Sequence, residues 1–306
     1  MKTCDELSNR WNSCQGGQIL VDHTHPLKMY LNINENGNKE LLVPVHKPIT
    51  SFRQTEAIGI NNYKHGSEYL FSIELLSDEL TKEYVCLCFD LIESSRPFAT
   101  ARESAVHFFD AFKKWYSLLT SVKGSILSIT EIRGLMGELR YMVEEIDAGY
   151  DGLNIVSSWT IHKDASRDFI YDSSWDEIKT IQTSGDYVTI SSLEQLEHDA
   201  KGRLFVYRLD RADDTKNSDT YTLNSLVSTL KSKINIQTET ELTRKLLAKG
   251  YLYNPAYEGF IFKFNKKSCY IVNETFPRIG KCTVPDAVCA ARYDILLSQI
   301  ENWREK

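Results

Sequence analysis

No C-x-x-C pair exists in this chain. Its seven cysteines stand at 4, 14, 86, 88, 269, 282 and 289. That odd, scattered set excludes a zinc ribbon or a disulfide framework and leaves reduced thiols and core residues. Cys86 and Cys88 flank Leu87 in an apolar segment read as helix, where a free thiol behaves as a small hydrophobe. No run of about 18 apolar residues is present, and Met1-Lys-Thr-Cys-Asp-Glu6 lacks the apolar stretch of a signal peptide. A soluble, cytoplasmic protein is therefore expected. Internal repeats and low-complexity tracts are missing as well. Positive charge falls short of negative, with 36 Lys and Arg against 42 Asp and Glu and a net charge of −6. This balance argues against a chain that holds nucleic acid by overall charge alone.

What remains is ordinary globular content, 42% hydrophobic and 25% charged, over 306 residues that suffice for two domains or one elaborated domain. Asn36-Gly37 between alternating apolar residues predicts a hairpin over 27–45. A strand is expected over 69–75, then a helix from Asp78 to about Glu93 with Ser77 as its cap. Pro97 breaks the chain, and Phe108, Phe112, Trp115 and Leu119 form the apolar stripe of a long helix over 99–119. The expected organisation is a strand-rich module over 1–97, a central core over 98–210 and a helical and strand extension over 211–306. In the extension, helices are expected over 223–234 and 238–249, strands over 259–264 and 270–273, and a last strand or helix from Arg292. His23 and His25 stand at strand spacing for a shared metal, a reading the sequence favours less than a structural role.

Residues 167–196, RDFIYDSSWDEIKTIQTSGDYVTISSLEQL, carry the most chemistry. Asp168-Phe-Ile-Tyr171 and Trp175-Asp-Glu-Ile-Lys-Thr-Ile181 are rich in β-branched and aromatic residues and flank the turn-prone Asp172-Ser-Ser174, which reads as a β-hairpin. Alternation puts Glu177 and Lys179 on one face and Ile178 on the other. A loop centred on Ser173-Ser174 would place Asp168 opposite Lys179, whereas a three-residue loop would put Asp168 on the wrong face. Two carboxylates at short range repel, and a hard divalent cation such as Mg²⁺ or Mn²⁺ between them keeps both ionised. Acid-any-Lys triplets arise once or twice in a chain of about this size by composition alone. Asp199-Ala-Lys201 and Asp214-Thr-Lys216 are two such, neither with an acid at hairpin distance.

Upstream, Ile132, Leu135, Met136, Leu139, Met142, Val143 and Ile146 predict an amphipathic helix over 131–147, ended by Gly149. Glu138 borders its apolar stripe. Gly134 and Gly137 weaken such a helix by about 1 kcal/mol each relative to Ala, so a close approach by another element is expected there. Downstream, Tyr187-Val-Thr-Ile-Ser-Ser192 reads as a strand leading to a helix over 193–199. Ser191 with Glu194, or Ser192 with Gln195, fits a capping box, and the exposed helix start could hold a DNA phosphate.

Gly134-Leu-Met-Gly-Glu-Leu139, Asp168-Phe169, Glu177-Ile-Lys-Thr180 and Ile190-Ser-Ser-Leu-Glu-Gln-Leu196 together resemble a bacterial family of PD-(D/E)XK members of unknown function, within the restriction-endonuclease-like superfamily. Cys88-Phe-Asp-Leu91, Trp115-Tyr-Ser-Leu-Leu119, Leu246-Leu-Ala-Lys-Gly-Tyr251, Phe276-Pro-Arg-Ile279 and the segment from Val284 to Ile295 extend the resemblance over nearly the whole chain. It implies an α/β (α+β) fold with a mixed central sheet flanked by helices, in the order acid-bearing helix, three strands, helix, strand. It also implies that Asp168, Glu177 and Glu138 are metal-binding acids and that Lys179 is the catalytic lysine. Gln195 and Ser192 are auxiliary candidates. One departure stands out, for Trp159-Thr-Ile-His162 replaces a Trp followed shortly by Gly-Pro.

The implied activity is a Mg²⁺- or Mn²⁺-dependent DNA endonuclease in which a metal-activated water attacks a phosphodiester in line, within a bacterial restriction or phage-defence system. The acidic balance points to DNA contacts shared with partner subunits. Arg133, Arg140, Arg167 and Arg203 are candidate phosphate contacts or plain ion pairs, and helices 223–249 with Arg244, Lys245 and Lys249 could make a winged DNA-reading module. The competing reading is a non-catalytic DNA-binding or assembly subunit that keeps the fold as a scaffold.

Overall fold

The computed structural model describes residues 3–14, 17–121, 126–161, 166–197, 200–214 and 219–305. Two compact units make up the chain, Met1–Ser125 with Glu239–Tyr253, and Ile126–Thr238 with Asn254–Lys306.

In the first unit, helix α1 (Cys4–Asn12) and strand β1 (Ile19–Leu20) lead into the expected hairpin of β2 (Tyr30–Ile33) and β3 (Lys39–Val45). Ile33 pairs with Lys39, and Gly37 takes a φ of +83°, the left-handed turn conformation that glycine adopts at little cost. Strands β4 (Ile58–His65) and β5 (Glu68–Leu75) complete an antiparallel sheet of order β1-β2-β3-β5-β4. A 3-10 turn at Asp78–Leu80 opens helix α2 (Thr81–Ser95); Ser77 has the extended backbone of a cap, but its side chain makes no capping bond. Helix α3 (Ala101–Ser121) buries Phe108, Phe112 and Trp115, and Phe112 meets the edge of Phe71 from β5 with ring centroids 5.7 Å apart. That packing binds the helix to the N-terminal sheet, so this unit runs past Pro97 to Ser125. His25 is structural, its ring nitrogens lying 2.9 Å from the Leu27 and Ile92 carbonyl oxygens.

The second unit opens with helix α4 (Ile129–Asp147), started by a reciprocal capping box between Ser128 and Glu131. Its buried stripe is the expected one, Ile132, Leu135, Met136, Leu139, Met142 and Val143. Burying each such side chain contributes roughly 1.5–3 kcal/mol. There follow helix α5 (Gly152–Ser158), β6 (Phe169–Ile170), β7 (Ser174–Ile181), β8 (Tyr187–Ile190), β9 (Lys201–Arg211), β10 (Thr220–Tyr221) and helix α6 (Leu223–Lys231). Helices are present over both segments expected in 223–249, α6 in the second unit and α7 (Ile236–Ala248) mostly in the first. The chain continues into β11 (Phe262–Val272) and β12 (Tyr293–Leu296). Residues expected to form two strands, 259–264 and 270–273, are largely one, in which the register shift between Phe264 and Lys266 absorbs Asn265 as a bulge.

The central sheet has the order β10-β11-β9-β7-β6 and is mixed, as expected: β7 and β9 run parallel and the other pairs antiparallel. A parallel pair needs a crossover, and residues 182–200 supply it, carrying β8 out to pair with β12. The helix expected over 193–199 is only a turn over 193–196, its last two residues lying outside the described ones. Among the described residues no helix is long and apolar enough to cross a membrane.

Close approach holds at one of the two helix glycines. A Cβ on Gly137 would collide with Thr180 Cγ2 of β7, whereas one on Gly134 would meet nothing within 4 Å. Gly137 therefore lets α4 settle against the strand that carries the acid-x-lysine triplet.

Candidate active site

β7 carries two adjacent acids to opposite faces. Asp176 shares its face with Ile178 and Thr180, toward α4, and is 1% exposed. Arg203 of β9 grips it with two bonds, Nε to Oδ1 at 2.8 Å and Nη2 to Oδ2 at 2.7 Å, while Tyr141 of α4 donates its hydroxyl to the same carboxylate. Asp176 is thus a satisfied buried ion pair.

Glu177 is as deeply buried but differently served. Lys179 lies beside it with Nζ 2.7 Å from Oε1, as strand alternation requires. Its other oxygen, Oε2, has no hydrogen-bond partner among the described residues. Burial first and the Asp168 charge second raise the Glu177 carboxyl to about 8, against the pull of Lys179, and Glu138 adds a smaller push upward. Burial works to lower the Lys179 ammonium, but Glu177 and then Asp168 and Glu138 lift it above its ordinary value. The four side chains expected to act together thus feel one another's charge.

The register differs from the expected one by two residues. Phe169 pairs with Asp176 and Ile170 with Trp175, which aligns Asp168 with Glu177 rather than Lys179. The cause is the turn, in which Tyr171 N–H donates to the Ser174 carbonyl at 2.9 Å, so the loop centres on Asp172-Ser173. A two-residue shift preserves the faces. Asp168 is held at both ends, its carbonyl accepting from Thr160 N–H at 2.8 Å and its Oδ2 from Ile178 N–H at 2.8 Å. Trp159, which bridges to Phe169, donates Nε1–H to Glu138 Oε2 at 2.5 Å and so fixes the helix acid. His162 lies outside the described residues.

Gln195 reaches the same place from the turn after β8. Its Oε1 accepts from Ser191 N–H at 2.7 Å and lies 3.4 Å from Lys179 Nζ. Ser192 belongs elsewhere, facing Glu194, whose carboxyl is kept low by Lys281 first and by Ser192 with less force.

Among the described residues no three Asp, Glu, His or Cys side chains gather closely enough to form a ready-made cation cage. The donor set nonetheless fits a hard divalent cation, because Glu177 presents a buried carboxylate oxygen with no protein donor and Asp168 aligns with it.

The arginines read as candidate phosphate contacts serve the fold. Arg133 Nη2 donates to the Leu209 carbonyl, Arg140 pairs with Glu144 and Asp219, Arg167 stacks over Trp175 with 4.3 Å to the ring centroid, and Arg203 holds Asp176. On α7, Arg244 and Lys245 pair with Asp90 and Glu241. Sequence reading passed over the Asp176–Arg203–Tyr141 network, although a charged residue on a strand face shared with Ile178 signals that a buried partner exists. It also passed over Tyr293, whose hydroxyl is buried without a hydrogen-bond partner among the described residues.

A family model described as "Putative PD-(D/E)XK family member, (DUF4420)" matches residues 3–298, nearly the whole chain. Neither the curated proteins nor the solved structures yield a match.

Proposed function

Because the chain belongs to that PD-(D/E)XK family, we propose that it is a divalent-cation-dependent DNA endonuclease, acting in the cytoplasm as a subunit of a bacterial restriction or phage-defence system. The observation that carries this reading is the Glu177–Lys179 pair, a buried carboxylate with one unpartnered oxygen, 2.7 Å from an ammonium and aligned with Asp168. A Mg²⁺ or Mn²⁺ ion held by Asp168 and Glu177, with Glu138 completing the acidic cluster, would polarise a phosphate oxygen and acidify a bound water. Lys179 has compact, rotatable donors with which to orient the attacking water and offset charge on the phosphorane. Gln195 offers that ammonium a further acceptor, its Oε1 lying 3.4 Å from Nζ. The net charge of −6 leaves part of the DNA grip to partner subunits.

Incubation of supercoiled plasmid with the purified chain and Mg²⁺ or Mn²⁺ is expected to give nicked or linear product. Glu177→Ala and Lys179→Ala should each lower the rate by about a hundredfold or more while leaving the circular dichroism spectrum unchanged. Wild-type rates in both variants would sink the assignment of the site.

A further inference from the structure

Glu138 lies on α4, Asp168 immediately before β6 and Glu177 on β7, and one dipeptide, Trp159-Thr160, is bonded to the first two of these residues. Trp159 closes α5, its N–H donating to the Val156 carbonyl at 3.2 Å, and its backbone bridges to Phe169. Its side chain is packed away, with the residue 1% exposed. Backbone and ring are thus fixed before any ligand arrives. The indole Nε1–H, a donor that can neither ligate a metal nor take up a proton, reaches Glu138 Oε2 at 2.5 Å. Thr160 carries the constraint on to the next acid, donating its N–H to the Asp168 carbonyl at 2.8 Å and its hydroxyl to the Arg167 carbonyl. Asp168 Oδ2 in turn accepts at 2.8 Å from the N–H of Ile178, the residue between Glu177 and Lys179.

Glu138 is half-buried at the border of the α4 stripe. A glutamate side chain loses rotamer freedom on meeting a cation, and a charge-assisted donor on one carboxylate oxygen removes much of that freedom in advance. A carboxylate has about four acceptor positions, so one donor does not exhaust it. Partners that orient the ligands of a cation in this way govern its affinity nearly as strongly as the ligands do.

We infer that Trp159 is a positioning residue, whose indole N–H presets the Glu138 carboxylate for the divalent cation and so raises the affinity of the site for it. The presence of a cation rests on the nuclease reading, whereas the role of the indole is read without cleavage.

The test is calorimetric titration of Mn²⁺ into the purified chain without DNA. Trp159→Phe keeps an aromatic ring and removes the N–H, and should weaken Mn²⁺ binding about tenfold. Benzothienylalanine at the same position keeps the indole outline with sulfur in place of N–H; it should give the same loss, and it serves if the phenyl ring does not support folding. Glu138→Ala should also weaken binding, and adding Trp159→Phe to it should change affinity by less than about twofold, because the carboxylate to be oriented is gone. Loss of packing around the smaller ring is common to both backgrounds and cancels in this cycle. Wild-type affinity in Trp159→Phe overturns the role, as does equal weakening in both backgrounds or a wild-type chain that binds no Mn²⁺. A chain that binds Mn²⁺, shows the coupling and leaves supercoiled plasmid intact keeps the role of Trp159 and discards the nuclease. A chain that cuts plasmid while Trp159→Phe binds Mn²⁺ as the wild type does keeps the nuclease and discards the role.

Discussion

Glu177 makes stability depend on pH in a direction opposite to that of most carboxylates. Its carboxyl sits at about 8 in the folded chain against an ordinary 4.5, through burial and then the Asp168 charge. Between those values the unfolded chain has shed the proton and the folded chain keeps it, so stability is highest below 4.5 and falls as pH rises toward 8. Glu177→Gln keeps the shape and removes the titration. Urea denaturation should show the variant gaining little over wild type at low pH and most above pH 8, whereas parallel profiles would refute the assignment. At the high end of that range Mn²⁺ should raise the melting temperature of the wild type and leave Glu177→Gln unmoved. Asp168, Glu177 and Lys179 were legible because strand alternation needs only neighbouring letters. Tyr293 was not, because its partner strand lies 105 positions away at the Thr189–Asp294 contact and nothing local marks it.

Elements were legible where periodicity was strong. The α4 stripe and the Asn-Gly hairpin stand as expected, while the helix after β8 shrank to a turn because Gln195 caps Ser191 N–H and the chain soon enters β9. The turn before β7 was misplaced by one residue, which shifts the pairing by two, since Asp172-Ser-Ser174 admits either centre and only the Tyr171–Ser174 bond decides. Helix α4 offers a paired test of how it meets the sheet. Gly137→Ala puts a methyl into Thr180 and should cost about 1–3 kcal/mol. Gly134→Ala meets open space and should stabilise by about 0.5–1 kcal/mol. Equal shifts in thermal denaturation would contradict the packing.

The division into two units, each built from two stretches of chain, could not be read from the order of elements, because residues 239–253, with most of α7, join the first unit through packing rather than proximity in sequence. The second unit depends on its C-terminal stretch. Ile295, Leu297 and Ile300 are at most 7% exposed and share a core with Trp175, Val188, Ile190, Leu204 and Val206. A chain stopped after Arg292 loses three side chains worth roughly 1.5–3 kcal/mol each. Its urea midpoint should fall sharply; an unchanged midpoint would show that the stretch is an appendage.

The parallel pairing of β7 with β9 and the long reach from β8 to β12 also set a timetable. Contacts between residues far apart in sequence form late, since the chain between them must first be ordered, and on the ribosome residues 293–296 emerge long after residues 174–181. A growing chain can zip the hairpin of β6 and β7 on its own, with its two acids and its lysine. β12, with Tyr293 opposite Ile190, joins only once nearly all of these 306 residues have been made. A nascent chain should therefore carry its two acids and its lysine through the interval between the making of residues 174–181 and that of residues 293–296, before β12 closes against β8.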